Sequence, residues 1–445
     1  MRTQVVRTWL AVVVSIAMAG CTGGAVPGGS VAAPTGGGGG GSQPPLGDVT
    51  LTMWQHSYPP LNDFTQKAID AFEAENPNIT VNFELVPFEE YNQKILTALA
   101  AGQAPNVFES DDYTFAQFTE NGALAPIDPT LMGFADVAAL TAAYEPNSLG
   151  LVTSDGTVYG LPYDWEAPVV GYSLSLTEEA DVDPTAFETW DDLMTAAQSM
   201  SVKEGPNLST SGFAFVHNID VYYQLQGTTL FNQAGVDVLS EDGTSAAINR
   251  PEAVQVFELW RDAIWEYEAT SPAFTSTFYT NEFGEGRVGM GFMLVWANSI
   301  LAPAGYENGV DFDIAHLPTF DGSDKQSVSY AWNWTLNAKN SADQNRAGHL
   351  LLDYLSQQGA AELAEAGLIN PRTGWRDSVE ADLLDDYTEI FESLANSRPI
   401  RPSVKFNEVW APVIDLFKAI ETDQSTDIEA GLVQAEQEIN AILGR

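Results

Sequence analysis

Tryptophan residues stand at positions where they could contact a ligand. The chain has 11 of them, and Trp54 falls at the end of a predicted strand, Trp165 in a predicted loop and Trp296 at the end of an apolar run. Ligands of open α/β sheets bind beyond the carboxyl ends of the strands. Aromatic rings there can stack on the apolar faces of sugar rings while carboxyl, amide and guanidinium groups bond the hydroxyls. A single tryptophan is more often part of a core, but several at strand ends and loops together favour a binding cleft.

Signatures of common enzymes are absent from the sequence. There is no G-x-S-x-G, H-E-x-x-H or G-x-x-x-x-G-K-[ST] motif. The segment Gly284–Gly289 fits G-x-G-x-x-G, but the apolar run after it resembles a strand, not the helix that a dinucleotide site requires. With 61 acidic residues, two carboxyl groups can be close by chance, so the acids alone do not exclude a glycoside hydrolase. The four histidines are scattered, which argues against a zinc cluster. We therefore predict no enzymatic activity, no cofactor and no metal site.

The charge balance is strongly acidic. The chain has 18 Lys and Arg against 61 Asp and Glu, for a net charge of −43. Such a field repels phosphate backbones and disfavours nucleic acid as a partner. It disfavours anionic ligands as well. The acids are spread along the whole chain. This distribution favours an adaptation for solubility, for example in a saline environment, over a surface that attracts cations.

The amino-terminal segment predicts export and a lipid anchor. Residues 1–20 carry two arginines and then an apolar run too short to span a bilayer. Small residues precede Cys21, the only cysteine, as in the bacterial lipoprotein signal, in which that cysteine is lipidated. An ordinary cleaved signal with an incidental cysteine is the alternative. Residues 21–47 hold the lipidated cysteine and an uncharged, glycine-rich linker, so the protein is expected on the outer face of the cell membrane.

Strands and helices alternate from Asp48 onward. Residues 49–54 alternate like a strand, 61–75 place apolar side chains on one helical face, and 79–85 form a second strand. A helix over 91–101 and a short strand over 107–109 follow. This order predicts parallel pairing with helices outside the sheet, and hence the α/β class.

An ordered set of motifs resembles the extracellular solute-binding proteins of ABC importers, in the group that includes maltose- and other oligosaccharide-binding proteins. The likeness covers nearly all of 49–443, and the set as a whole is specific although no single piece is. One position departs from the usual pattern, because Asn106 stands where the family usually has Asp. The motifs are VTLTMW at 49–54, FEAENPNI at 72–79, ALAAGQAPNV at 98–107, GALAPID at 122–128, DGTVYGLP at 155–162, TWDDL at 189–193, and the segments 283–290 and 311–318.

The resemblance implies a two-lobed fold of the periplasmic-binding-protein type (type II) with the ligand cleft between the lobes. By that pattern lobe one is 48–160 plus 312–340, and lobe two is 166–308 plus 341–445. Closure around the ligand would be a hinge motion. The partners implied are a small carbohydrate and the transmembrane permease subunits of an ABC transporter, and the protein is expected to be a monomer.

The resemblance also carries over candidate ligand-binding residues. At Tyr330–Trp332 many relatives have glycines, so the bulky rings here narrow the cleft or add stacking. Arg372 follows Asn370-Pro371 and would bond ligand oxygens, or else form a salt bridge with one of the many acids. The candidates are Trp54, Asp111, Asp112, Trp165, Glu166, Tyr222, Tyr223, Trp296, Trp332, Arg372 and Trp410.

The sequence thus favours a lipid-anchored receptor for a neutral di- or oligosaccharide. A receptor for a cationic solute such as a polyamine or betaine is the first alternative, because aromatic rings and acids also build cation cages. A secreted glycoside hydrolase is the second. Binding without turnover, and the salt dependence of that binding, would separate the three.

Overall fold

The computed structural model describes residues 45–205, 207–273, 284–322, 327–400 and 403–444. Cys21 and the predicted signal and linker up to residue 44 lie outside these ranges, so the anchor stays a prediction. The strands are β1 Val49–His56, β2 Ile79–Val86, β3 Val107–Asp111, β4 Thr153–Ser154, β5 Thr157–Val158, β6 Gly160–Glu166, β7 Val169–Ser173, β8 Val202–Glu204, β9 Asn207–Ala214, β10 Val288–Met293, β11 Phe312–Ala315, β12 Ser327–Leu336 and β13 Ser397–Pro399. The helices are α1 Pro59–Glu75, α2 Phe88–Ala101, α3 Asp112–Glu120, α4 Val137–Thr141, α5 Leu174–Glu179, α6 Trp190–Met200, α7 Asp220–Gln233, α8 Pro251–Trp265, α9 Ala297–Leu301, α10 Ala342–Ser356, α11 Gly359–Ala366, α12 Ala381–Asp385, α13 Thr388–Ala395, α14 Phe406–Thr422 and α15 Ile428–Ile442.

The predicted alternation at the start of the folded chain is confirmed. Inward residues of β1 alternate with exposed ones, and β1 pairs in parallel with β2 and β3. Helix α1 buries Leu61, Phe64 and Phe72 on one face, and a proline in its first turn fits a position where no backbone N–H is needed. Gly102, at φ 68°, ends α2 in the left-handed conformation that glycine adopts without strain.

Two sheets form the frames of the two lobes. The first has the order β13-β12-β3-β1-β2, with β6 also paired to β12, and the second has the order β11-β7-β10-β9-β8. The chain passes from the first sheet to the second between β6 and β7, and returns between β11 and β12. The carboxyl end of β6 therefore lies at the junction of the lobes.

The lobe boundaries expected from the sequence need two corrections. Residues 312–315 were expected in lobe one, but β11 pairs antiparallel with β7 in the second sheet. Residues from 341 onward were expected in lobe two, but α10 packs on β1 and α11 packs on α1, so both helices cover the first sheet. Helices α14 and α15 do pack against α8. The crossing to lobe two comes later than expected, because β13 still pairs with β12 in the first sheet, and no local sequence pattern marks the crossing.

Candidate ligand-binding cleft

A cavity of ≈ 270 Å³ lies between the two sheets. Its wall comes from the end of β1, from β6 and β12 in the first sheet, and from the segment after β10 and the start of α7 on the other side. Among the described residues that form this wall there is no lysine or arginine. The lining residues are His56, Ser57, Tyr58, Leu61, Phe88, Tyr113, Asp164, Glu166, Val221, Tyr222, Leu225, Leu294, Trp296, Ile300, Tyr330, Trp332 and Leu368.

A larger cavity of ≈ 480 Å³ exists elsewhere, between α7, β13 and α14. Its wall is mostly apolar and includes Ile400 and Ser403, which flank two residues outside the described ranges. The cavity between the sheets is smaller, but it is the better candidate for a ligand site, because two lobes and several polar groups converge on it.

Alternation along β12 places two of the rings in the cleft. Tyr330 and Trp332 are two residues apart, so their side chains share one face of the strand. Trp332 packs on the His56 imidazole, with ring centroids 4.3 Å apart and planes tilted by 35°. His56 is held from behind, because its Nδ1 lies 3.0 Å from the Glu109 carboxylate and its backbone N–H donates to the same oxygen over 2.6 Å. The Tyr163 hydroxyl donates to the other oxygen of Glu109, over 2.7 Å. The aromatic wall is therefore pre-organised before any ligand enters.

Tyr58 joins the two lobes at the rim of the cavity. It precedes α1, and its hydroxyl donates to the backbone carbonyl of Trp296, over 2.8 Å, on the opposite lobe. The same hydroxyl also contacts the Ser299 hydroxyl. Burial raises the pKa of Tyr58, so this group stays a hydrogen-bond donor at any physiological pH.

Two carboxyl groups form the polar floor of the cavity. Asp164 and Glu166 are 5% and 1% exposed, and they share one face of β6. Burial raises the pKa of Asp164 to about 6 and raises the pKa of Glu166 well above its usual range. No N–H or O–H group of the described residues reaches Asp164 Oδ1 or Glu166 Oε2. Such buried acceptors are costly unless a ligand or a proton satisfies them.

Four of the eleven predicted site residues line this cavity. They are Glu166, Tyr222, Trp296 and Trp332, and their contact with a ligand stays a prediction. The remaining seven do not line it, and the structure gives each of them another set of partners.

Asp111 and Asp112 have structural partners. The Asp111 carboxylate caps α3 by accepting from the backbone N–H and the hydroxyl of Thr114, over 2.8 and 2.6 Å. Asp111 also borders a separate polar pocket of ≈ 350 Å³ beside the cleft. Asp112 is fully buried and accepts from the Ala331 N–H, 2.6 Å, and the Asn333 side-chain amide, 3.2 Å. Both bonds tie the start of α3 to β12, which leaves Asp112 no face toward the cavity.

Trp54 and Trp165 do not line the cavity. Trp54 lies within β1, and its half-buried ring has the Lys94 ammonium 4.3 Å from its centroid. Trp165 is not in a loop, as the sequence suggested, but in β6. Its neighbours Asp164 and Glu166 face the cavity, so the period of two turns Trp165 to the other side, where it is 3% exposed in an apolar cluster.

Tyr223 and Trp410 belong to the core of lobe two. Tyr223 is fully buried and its hydroxyl donates to the Glu421 carboxylate, over 2.8 Å. Trp410 is 3% exposed, and its ring fills the space beside Gly227, where a Cβ would lie only 2.9 Å from it.

Arg372 forms the salt bridge that was the alternative to ligand contact. Its Nη1 lies 2.7 Å from Asp353 Oδ1 and 2.5 Å from the Ser356 hydroxyl. It is not among the residues that line the cavity.

The sequence reasoning missed His56, Tyr58, Tyr113 and Asp164. A signal for Asp164 was present, because it stands two residues before Glu166 and would share its face if the segment were read as a strand. No local signal marks Tyr58 or His56, since their role depends on how β1 meets the second lobe.

Comparisons with known proteins agree with this geometry. The sequence model of the family described as bacterial extracellular solute-binding protein matches residues 58–362. A protein of Brucella abortus (strain 2308) named as a binding protein is 29% identical over 250 residues, which are 55% of this chain and 57% of that protein. The arabinooligosaccharide-binding protein of Halalkalibacterium halodurans is 25% identical over 210 residues, 46% of this chain and 44% of its own length. The chain therefore spans about half the length of these relatives.

A solved structure shows the same fold. The solute-binding protein of an ABC transporter from Thermotoga lettingae, bound with α-D-tagatose, superposes with a TM-score of 0.76. The match covers 89% of this chain and 100% of that one at 23% identity. The predicted two-lobed α/β fold of the periplasmic-binding-protein type is thereby confirmed.

Proposed function

This chain belongs to the bacterial extracellular solute-binding protein family, and we propose that it binds a neutral di- or oligosaccharide between its lobes and delivers it to the permease of an ABC transporter. The observation that carries the proposal is the cavity lined from both lobes by aromatic rings and two buried carboxyl groups. Rings offer faces for stacking, and carboxyl oxygens accept from hydroxyls. The named specificity of the Halalkalibacterium relative supports a sugar as the ligand.

The absence of basic side chains from the described wall supports a ligand without negative charge. An anionic sugar would be desolvated beside Asp164 and Glu166 with no cation to pair with it. A binding protein is favoured over an enzyme because the relatives are named for binding.

A panel of sugars tests the function directly. Purified protein lacking residues 1–20 is titrated with arabino-oligosaccharides, maltose, maltotriose, lactose, tagatose and erythritol, with polyamines and betaine as the cationic arm. Binding is followed by calorimetry and by tryptophan fluorescence, since Trp296 and Trp332 line the cavity. A tight ligand raises the apparent unfolding temperature by linkage. Binding of cations alone, or of nothing in the panel, contradicts the proposal, and turnover of a bound sugar contradicts the assignment as a binding protein.

The anchor at Cys21 is part of the proposal. No helix within the described ranges is long and apolar enough to cross a bilayer. A lipid on Cys21 and the uncharged segment that follows would hold a monomeric receptor near its permease and raise its effective concentration there. The variant Cys21→Ser should release the protein from the membrane fraction without changing its affinity for sugar. A fall in affinity would contradict the separation of anchor and binding body.

A further inference from the structure

Two carboxyl groups of the cleft are buried side by side without a basic partner in the described part of the chain. Asp164 and Glu166 are both buried, both line the cavity, and both lie on the same face of β6. No described residue forms a salt bridge with either of them, and no lysine or arginine lines the cavity. Two adjacent buried carboxylates without a cation repel each other and lose their hydration.

We propose that Asp164 and Glu166 hold one proton between them and act as a single hydroxyl-reading unit, so that closure on the ligand is linked to proton uptake. The proposal rests on the proposed function for its ligand, but the shared proton does not depend on that function. Because the proton is held between the two groups, the pair presents its remaining oxygens to the cavity as acceptors. Those acceptors suit a ligand that presents neighbouring hydroxyl groups, and they reject a carboxylate.

The shared face and the burial of the two carboxyl groups support the shared proton. Burial raises the pKa of both groups, and the charge of Asp164 followed by a hydrogen bond between the pair raises the pKa of Glu166 further, whereas the same bond lowers the pKa of Asp164. This is the arrangement in which one group keeps its proton and the other accepts from it.

Other titratable groups face the pair from each neighbouring element. His56 lowers the pKa of Asp164, while Glu109 raises it. Neither one removes the need for a proton, because Nδ1 of His56 is already paired with Glu109. The remaining titratable groups that interact with one or both carboxyl groups are Tyr58, Asp112, Tyr113, Tyr163, Tyr222, Tyr330 and Glu362.

The sign of the pH dependence follows from burial. Closure on a ligand removes more water from the pair, so the pKa of the pair is higher in the closed form than in the open form. Affinity is then complete below the open-form pKa and is lost as the pH rises through the closed-form value. Burial raises the pKa of Glu166, the group that keeps the shared proton, well above its usual range, so the loss begins only when the pH passes that raised value. Its limit for one proton is about tenfold in affinity per pH unit.

The first test needs no ligand. Infrared spectra of the wild type and of Glu166→Gln at pH 7 are subtracted to isolate the C=O band of a protonated carboxyl group. The proposal expects this band in the wild type and its loss in the variant. Asp164→Asn removes the partner carboxylate but leaves Glu166 buried, so the band should remain and shift in frequency, and circular dichroism checks that both variants are folded. Identical spectra for wild type and folded variants would overturn the shared proton.

The second test measures proton uptake with the sugar that binds best in the panel. Calorimetry in buffers of different ionisation enthalpy should show uptake of up to one proton per ligand, and the affinity of the wild type should fall once the pH exceeds the value at which the C=O band of the ligand-free protein disappears. The pH profile of Glu166→Gln should be flat there, while the exposed control Glu89→Gln should keep the wild-type profile. Equal profiles for wild type and Glu166→Gln would overturn the linkage. If the protein shows the C=O band of the first test but binds no sugar of the panel, the proposed function is contradicted while the shared proton is supported.

Discussion

Two buried acidic sites in this chain are surrounded by aromatic rings, yet they differ in their donors. In lobe two the Glu421 carboxylate accepts from the Tyr223 hydroxyl over 2.8 Å and from the Trp260 indole N–H over 3.1 Å. His217 Nδ1 lies 2.7 Å from the same oxygen. In the cleft, Asp164 Oδ1 and Glu166 Oε2 have no such donor among the described residues.

The difference separates a structural site from a binding site. Both sites are rich in aromatic rings and acids, so composition cannot distinguish them. When the chain supplies donors to a carboxylate, few of its acceptor positions remain for a ligand. An unsatisfied buried acceptor, by contrast, carries a free-energy cost that a ligand can remove. The lack of hydrogen-bond donors to the carboxyl oxygens, rather than the presence of acids or rings, therefore distinguishes the cleft from the core site.

Loss of Glu421 should have the largest effect, and on stability. Glu421→Ala leaves the buried His217, Tyr223 and Trp260 without their shared acceptor, and breaking such a buried pair costs about 3–5 kcal/mol. Urea unfolding of the ligand-free protein measures this loss. The exposed Glu408 lies on the same helix, α14, and Glu408→Ala should cost less than about 1 kcal/mol. A loss of similar size in both variants would mean that the Glu421 network is not the structural site we describe.

Loss of a cleft ring should act on binding instead. Trp296 is half-buried at the cavity wall, so Trp296→Ala should weaken sugar binding by roughly ten- to hundredfold, as removal of a central aromatic contact does. Calorimetry with the sugar that binds best gives this ratio. The control is Trp265→Ala, because Trp265 is 37% exposed on α8 and does not line the cavity. Equal affinities for the two variants would remove Trp296 from the site.

The fold was largely predictable because its signals are local. The alternating burial of β1 and the apolar face of α1 follow from side-chain period. The capping boxes of Thr189 with Asp192 and of Ser341 with Gln344 follow an equally local sequence pattern, and both are present in the structure. Such patterns act within a few residues, so one sequence suffices to find them.

The site was less predictable because it depends on which face a residue presents. Tyr222 and Tyr223 are adjacent on α7, and the sequence made both of them candidates for ligand binding. A helix turns about 100° per residue, so Tyr222 reaches the cavity while Tyr223 enters the core. Trp165 and Glu166 were treated as a pair in a loop, but in a strand neighbours point to opposite sides.

The contact between the lobes should contribute the smallest of these effects. Tyr58→Phe removes the hydroxyl that donates to the Trp296 carbonyl over 2.8 Å and keeps the ring. One such bond contributes about 1 kcal/mol, which is roughly fivefold in affinity. Because the bond holds the two lobes together at the rim, its loss should appear mainly as faster ligand release. Stopped-flow tryptophan fluorescence resolves release from association, and Tyr354→Phe, whose ring packs on Phe72 away from the cleft, is the control. An unchanged release rate would show that the Tyr58 hydroxyl does not hold the lobes together. Retention of the ligand would then depend on the carboxyl pair and the aromatic rings.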